Sequence, residues 1–133
     1  MNVVLDSSVI TKWYFDEEQN EQAQHLRDLH KQNSLLINAP LLLLSELGNI
    51  FVNKKVTEIN FFKESITTLL DLNVKLVETG NLLDEIFEIS LKFKLSFYDA
   101  TYVALAKSLK CNFVTADKKL VSATKTLKFV KLL

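Results

Sequence analysis

The chain has 133 residues, 48% of them hydrophobic, and its 16 Lys and Arg balance its 16 Asp and Glu. A chain of this length buries roughly 65 to 70% of its unfolded surface in one compact domain, so we expect a single domain over residues 1–133. Its apolar runs fall far short of the roughly 18 residues that a membrane span needs, and no basic leader is recognisable. We therefore expect a cytoplasmic protein that has no membrane anchor.

Short apolar runs and amphipathic segments alternate along the chain, beginning with the buried-type strand NVVL at residues 2–5. Helices are predicted at residues 8–15 and 18–31, and a second strand is predicted at residues 35–37. Pro40 is predicted to open a helix that runs to about residue 55, because proline is favoured in the first turn of a helix. Thr57 is then the expected cap of the helix that follows, which is predicted at residues 58–72.

The same alternation continues through the rest of the chain. A strand at residues 74–77 leads to a helix at 81–93, and Ser96 begins the next helix. The run NFVT at residues 112–115 predicts another buried strand, followed by a short helix at 118–123 and a strand at 128–132. Strands separated by helices indicate right-handed crossovers. The predicted fold class is therefore α/β, a three-layer α/β/α sandwich with a central parallel sheet.

Four acidic residues fall where such a sheet gathers ligands, outside the carboxyl ends of its strands. Asp6 directly follows the first strand, and Asp117 follows the strand NFVT. Glu46 and Asp99 lie early in their predicted helices. The segment around Asp99 reads SFYDATYVALA, and its apolar neighbours leave little solvated face for a carboxylate. The predicted fold directs all four side chains toward one edge of the sheet.

Each of these acids also has an ordinary structural explanation, and these explanations stay open at this point. Asp is a preferred N-cap, so Asp6 and Asp117 are also explained as caps of the helices that follow them. Asp99 is also explained as the return partner of a capping box with Ser96. Glu46 is also explained as a solvated helical acid.

Four carboxylates in one pocket raise one another's pKa values unless a cation lies between them. Mg²⁺ and Mn²⁺ prefer carboxylate and water oxygens, and Mg²⁺ shares its coordination shell with substrate phosphate. A metal held in this way activates a water for attack on a phosphodiester, which indicates nuclease chemistry. No histidine occupies any of the four positions, which disfavours zinc. His25 and His30 lie on the helix at 18–31 and are expected to be exposed.

Four motifs that contain these acids follow one another along nearly the whole chain. They are VLDSSV with Asp6 and Ser8, PLLLLSELGNI with Pro40, Glu46 and Asn49, FYDATYVALA with Asp99, and VTADKKL with Thr115 and Asp117. In this order and at this spacing they resemble the PIN-domain family. Within that family they are similar to the VapC-type toxins of prokaryotic toxin–antitoxin pairs, which are small metal-dependent ribonucleases.

The resemblance implies a parallel sheet with the strand order 3-2-1-4-5 and an acidic pocket that binds Mg²⁺ or Mn²⁺ and carries out catalysis. The residues that it assigns to this pocket are Asp6, Glu46, Asp99 and Asp117. It implies that Ser8 and Thr115 support the pocket by hydrogen bonding. Asn49 is either a second supporting residue or a plain polar helix residue. The implied partners are an RNA substrate, a cognate antitoxin protein and a second copy of the chain.

The charge distribution agrees with an RNA partner. Residues 89–133 carry nine Lys against two Asp, and without the four pocket acids the whole chain has a net charge of +4. Phosphate contacts fall mainly to lysines, because Arg27 is the only arginine. Lys12, Lys118 and Lys119 follow the two strand-end acids closely and are the candidate RNA contacts. The alternative to a nuclease is a PIN-like scaffold that binds protein or RNA without turnover.

Overall fold

A computed structural model describes all 133 residues, and its five parallel strands form one sheet in the order β3-β2-β1-β4-β5. The strands are β1 (Asn2–Leu5), β2 (Leu36–Pro40), β3 (Lys75–Val77), β4 (Asn112–Thr115) and β5 (Val130–Leu132). This order is the one that the family resemblance implies, so the prediction is confirmed. It makes β1 and β4 direct neighbours, and Val4 pairs with Phe113 across them.

Seven α-helices connect the strands and complete the predicted α/β/α sandwich. They are α1 (Ser7–Ile10), α2 (Asn20–Lys31), α3 (Leu42–Asn53), α4 (Ile59–Asp71), α5 (Leu83–Phe93), α6 (Phe97–Leu109) and α7 (Lys118–Ala123). Short 3₁₀ helices at Thr11–Trp13 and Gly80–Leu82 follow α1 and precede α5. None of the helices has both the length and the hydropathy that crossing a bilayer requires.

The central strand β1 and the helix α6 form the middle of the hydrophobic core. Val4 and Leu5 of β1 are fully buried. Residues 100–106 of α6 are all buried, and this helix packs against β1, β2 and β4. A helix that is buried on every side needs no polar face, which explains the apolar sequence around Asp99. Asp99 lies in the first turn of α6, before the buried stretch begins.

Two of the predicted helix starts are wrong. Pro40 does not open a helix. It is the last residue of β2 and pairs with Val77 of β3, and α3 begins two residues later at Leu42. The fixed φ of proline is compatible with an extended residue as well as with a helical one. Thr57 is not a cap either, because Glu58 precedes α4 and no side chain caps that helix.

The N-terminal helices are shorter than predicted. The helix expected at 8–15 divides into α1 and a 3₁₀ helix that ends at Trp13. The helix expected from residue 18 begins at Asn20, because Gln19 adopts a left-handed conformation with φ 63°. Apolar residues continue past Ile10 to Phe15, and residues 16–22 contain no apolar residue that marks where α2 begins, so the sequence pattern alone did not place either boundary.

His30 is buried, contrary to the prediction that it is exposed, whereas His25 is exposed as predicted. The His30 imidazole links the end of α2 to the backbone of two other segments. Nε2 donates to the Leu72 carbonyl at 2.7 Å, and Nδ1 accepts from the Ile37 N–H at 3.2 Å. The Leu35 carbonyl oxygen also lies 3.2 Å from Nδ1, and because the Ile37 N–H occupies the Nδ1 lone pair, Nε2 is the ring nitrogen that donates. His30 therefore joins the end of α2 to β2 and to the end of α4.

Candidate active site

Asp6 stands at the carboxyl end of β1, and both of its carboxylate oxygens accept hydrogen bonds from hydroxyl groups. Ser8 Oγ donates to Oδ1 at 2.5 Å, and the Ser8 N–H donates to the same oxygen at 3.1 Å. Thr115 Oγ1, at the end of the neighbouring strand β4, donates to Oδ2 at 2.6 Å. Asp6 is only 6% exposed, so the fold holds its carboxylate in one orientation.

The two hydroxyl groups also position the backbone that leads to Asp117. Ser8 Oγ accepts from the Ala116 N–H at 2.9 Å, and Thr115 Oγ1 accepts from the Asp117 N–H at 3.1 Å. Because each hydroxyl donates to Asp6 and accepts from this segment, the ends of β1 and β4 are joined into one hydrogen-bonded unit. The order of neighbouring strands therefore determines where Asp117 lies relative to Asp6.

The helix-capping explanation of the two strand-end acids is also correct. Asp6 caps α1 through the Ser8 N–H. Asp117 caps α7, because its Oδ1 accepts from the N–H groups of Lys119 and Leu120 at 2.9 and 3.1 Å. An ionised carboxylate offers about four acceptor positions, so a capping acid still has lone pairs for another partner. Capping and a role in the site are compatible.

Glu46 on α3 is half-buried and accepts a hydrogen bond of 2.5 Å from the hydroxyl of Tyr102 on α6. Tyr102 is 1% exposed, and its ring stacks on Phe113 of β4 with the centroids 5.8 Å apart. Tyr102 is not among the site residues predicted from the sequence. A signal was present, because residues three apart on a helix share a face and Tyr102 follows Asp99 by three positions.

Asp99 is half-buried in the first turn of α6. Ser96 caps this helix, since its Oγ accepts from the Asp99 N–H at 3.0 Å. The return hydrogen bond of a capping box, from the Ser96 N–H to the Asp99 carboxylate, is not formed. The explanation of Asp99 as the return partner of a capping box is therefore wrong, although Ser96 does cap the helix through the Asp99 N–H.

The pKa values of three of the acids are raised, each in part by the charge of another acid of the site. Burial raises the pKa of Asp6 to about 6 despite the hydrogen bonds from Ser8 and Thr115, and the charge of Glu46 adds to the rise. Burial also raises the pKa of Glu46, with a further contribution from Asp99. The pKa of Asp99 is raised by burial and by the charge of Asp117. Each of the first three acids therefore lies close enough to the next for that charge to raise its pKa.

The chemistry of this site fits a hard divalent cation. All four candidate ligands are carboxylates, which are the donors that Mg²⁺ and Mn²⁺ prefer. No three Asp, Glu, His or Cys side chains are already gathered closely enough to hold a metal ion together. Mg²⁺ does not need such a cage, because it keeps several waters and binds through one or two carboxylates. The raised pKa values also fit, since a cation relieves the repulsion that contributes to them.

The predicted supporting residue Asn49 and the three predicted RNA contacts differ in their exposure. Asn49 is exposed and lines a cleft that also contains Glu46. Lys118 and Lys119 are exposed in the first turn of α7, directly after Asp117. Lys12 is buried rather than exposed.

Comparison with known proteins gives the family of this chain. A family model described as the PIN domain matches residues 3–125. The chain belongs to the PIN-domain family. This PIN-domain protein is 30% identical over 132 residues to Ribonuclease VapC3 of Pyrobaculum aerophilum, and the match covers 90% of this chain and 92% of the relative. It is therefore a PIN-domain homologue of a VapC ribonuclease.

Solved structures show the same fold. A protein of Pyrobaculum aerophilum named PAE2754 superposes on the PIN-domain chain with a TM-score of 0.74 and 20% identity, covering 99% of this chain and 83% of the other. VapC20 of Mycobacterium tuberculosis, which is named a sarcin-ricin loop cleaving toxin, has a TM-score of 0.67 and 18% identity, covering 91% of this chain and 94% of the other.

Proposed function

We propose that this PIN-domain protein is an endoribonuclease that hydrolyses RNA phosphodiester bonds and requires Mg²⁺ or Mn²⁺. The residues that we propose as metal ligands and catalytic groups are Asp6, Glu46, Asp99 and Asp117. The observation that carries the proposal is the hydrogen-bonded unit at the ends of β1 and β4, in which Thr115 donates to the Asp6 carboxylate and accepts from the Asp117 N–H. A site of this composition is stabilised by a divalent cation.

The proposed mechanism assigns a task to each part of the site. When bound, the metal supplies an activated water and offsets negative charge on the phosphate. Ser8 and Thr115 hold the Asp6 carboxylate at the carboxyl ends of β1 and β4. Tyr102 on α6 holds the Glu46 carboxylate on α3. The ligand carboxylates are thus oriented before substrate arrives, which reduces the reorganisation that catalysis requires.

We propose further that the protein is the toxin of a toxin–antitoxin pair and acts on RNA in the cytoplasm. The support is its 30% identity to a protein named Ribonuclease VapC3 and its structural likeness to VapC20, which is named a toxin. The proposed partners are an RNA substrate, a cognate antitoxin protein and a second copy of the chain. Exposed apolar side chains at Leu83, Phe87 and Leu91 form a stripe along α5, a surface that suits a protein partner.

The decisive experiment is cleavage of a mixed RNA pool by the purified protein, with Mg²⁺ or Mn²⁺ and with excess EDTA. We expect cut RNA only with metal, and no cutting by Asp99→Asn protein that melts at the wild-type temperature. Asp71→Asn, an exposed acid at the end of α4, is the matched control and should cut normally. Equal cutting by the Asp99→Asn protein would reveal a contaminating nuclease and contradict the site assignment.

The scaffold alternative has one specific observation in its favour. Asp6 and Asp117 both cap helices, so these two acids have a structural use without any chemistry. A scaffold predicts RNA or protein binding that is unaffected by EDTA, together with intact RNA ends in the cleavage assay. The nuclease predicts new ends that depend on metal, so the same experiment separates the two functions.

A further inference from the structure

A second cavity adjoins the acidic site, on the side of α1 and α3. It has a volume of about 440 Å³ and extends from Ser8 and Asp117 to Lys12, Glu17 and Lys54. One end of this cavity is therefore part of the acidic site, and the other end carries two ammonium groups. Lys12 is one of the RNA contacts predicted from the sequence, whereas Lys54 and Glu17 are not.

Glu17 holds the two lysines together. Lys54 Nζ lies 2.6 Å from Glu17 Oε2, and Lys12 Nζ lies 3.5 Å from Glu17 Oε1. Glu17 is itself fixed by a local turn, because its N–H donates to Asn20 Oδ1 at 3.0 Å. Lys54 also lies over the ring of Phe15, with Nζ 4.8 Å from the centroid. These contacts keep both ammonium groups at the cavity in the free protein.

This group of residues has unused capacity to bind an anion. Lys12, Lys54 and Glu17 together carry a net charge of +1 at their end of the cavity, whereas Asp117 lines the end that belongs to the acidic site. Lys12 is only 8% exposed, yet its single hydrogen-bond partner is Glu17 at 3.5 Å. An ammonium group carries three donors, and a buried ammonium without enough partners is costly. An anionic ligand in the cavity would supply the missing acceptors.

We propose that Lys12 and Lys54 form a phosphate subsite that binds the RNA backbone next to the phosphate held at the acidic site. The proposal rests on the proposed function, because it takes the RNA strand to cross the acidic site. The cavity shares Ser8 and Asp117 with that site, so a strand bound there passes directly into it. Its neighbouring phosphate then meets the only two lysines that line this cavity. Lysine binds phosphate as a point charge, so the subsite positions the strand without reading its sequence.

The test is the binding of a 5′-labelled single-stranded RNA of mixed sequence, measured by fluorescence anisotropy in EDTA at several NaCl concentrations. The variants are Lys54→Gln, which removes the charge, and Lys54→Arg, which keeps it. Lys75→Gln is the matched control, because Lys75 is exposed at the start of β3, away from the carboxyl ends of the strands. Comparing Lys54→Gln with Lys54→Arg separates the loss of charge from any loss of packing on Phe15.

We expect Lys54→Gln to weaken RNA binding about threefold to tenfold, the range between a surface ion pair and a charged hydrogen bond. The negative slope of log K against log salt should become less steep by about 0.7, the value for one phosphate contact on a single strand. Lys54→Arg and Lys75→Gln should bind like the wild type.

Unchanged RNA affinity and salt slope in Lys54→Gln, or no RNA binding by the wild type, would overturn the subsite. So would a result in which Lys54→Gln weakens the binding of poly-glutamate and leaves RNA binding intact, because the cavity would then bind acidic protein. The outcome is independent of the cleavage assay. Lysine-dependent RNA binding without cutting would contradict only the nuclease, and cutting with no effect of Lys54→Gln would contradict only the subsite.

Discussion

Thr115 Oγ1 lies 2.6 Å from Asp6 Oδ2, in a hydrogen bond between residues that are 109 positions apart in the chain. The bond forms because β1 and β4 are neighbouring parallel strands whose carboxyl ends meet at one edge of the sheet. Thr115 is fully buried, and its hydroxyl also accepts from the Asp117 N–H at 3.1 Å. One side chain therefore orients the Asp6 carboxylate and fixes the backbone of Asp117.

Thr115→Val should reduce the free energy of unfolding by about 2 to 3 kcal/mol, because Asp6 loses a donor and the Asp117 N–H loses its acceptor. Urea denaturation at pH 7 measures this change. Thr124→Val is the matched control, since the Thr124 hydroxyl donates to the Leu120 carbonyl, which also accepts a backbone N–H. We expect the control to cost less than about 1 kcal/mol. Equal losses in the two variants would contradict the role of Thr115.

Stability of the metal-free protein should decrease with rising pH because of Asp6. Burial raises the pKa of Asp6 to about 6 in the folded state, against 3.8 for the unperturbed group. The folded protein therefore binds this proton more tightly than the unfolded chain does. The stabilisation is fully present below pH 3.8 and is lost as the pH rises to about 6, at a cost of about 3 kcal/mol.

Asp6→Asn should remove this pH dependence, and it should stabilise the metal-free protein at pH 7 by less than about 3 kcal/mol, because no buried charge remains but the amide has one acceptor oxygen for the hydroxyls of Ser8 and Thr115. Thermal unfolding in EDTA between pH 4 and pH 7 measures both effects. Asp16→Asn, at an exposed position, should keep the wild-type profile. A lower melting temperature for Asp6→Asn at pH 7 would show that the Asp6 carboxylate stabilises the fold.

Tyr102→Phe should weaken Mn²⁺ binding about 10-fold to 100-fold, the usual effect of removing a hydrogen-bond partner of a metal ligand. The hydroxyl of Tyr102 is the side-chain donor that holds Glu46, at 2.5 Å. Calorimetric titration with Mn²⁺ in the absence of RNA measures the affinity independently of activity. Tyr14→Phe is the control, because the Tyr14 hydroxyl contacts Thr68 instead of the acids. Wild-type affinity in Tyr102→Phe would exclude the proposed role of this hydroxyl.

His30→Ala should lower the free energy of unfolding by about 2 to 4 kcal/mol, because it leaves a cavity and removes hydrogen bonds to two segments of buried backbone. His25→Ala, on the exposed face of the same helix, should change it by less than about 0.5 kcal/mol. Guanidinium denaturation of both variants measures these changes in the free energy of unfolding. Equal stability of the two variants would contradict the linking role of His30 between α2, β2 and α4.

The sequence predicted best those elements whose signals are local. Residues 2–5, 112–115 and 118–123 match β1, β4 and α7 at both ends. A short apolar run marks each of the two strands, and the capping aspartate at 117 marks the start of α7, without help from the rest of the chain. Prediction was wrong at Pro40 because the same fixed φ suits a strand end and a helix start. Pro40 lies in β2 because it pairs with Val77 of β3, a segment that comes later in the chain.

In the candidate site too, local signals were predicted from the sequence and contacts between distant segments were not. The four acids were identified from the strand ends and helix starts at which they lie. Neither the Tyr102–Glu46 contact nor the pairing of Glu17 with Lys54 was predicted, since the sequence pattern does not specify which side chains meet across elements. The burial of His30 was missed for the same reason, because its partners lie on two other segments.

By itself, the sequence determined the alternation of strands and helices, the four motifs in order and the acids that they carry. Helix and strand periodicity, capping and strand-end position depend on residues a few positions apart, and a sequence displays them directly. Only the tertiary structure decided which hydroxyl holds which carboxylate. Those partners lie 56 residues apart for Tyr102 and Glu46 and 109 apart for Thr115 and Asp6, and the neighbour order of strands and helices brings them together.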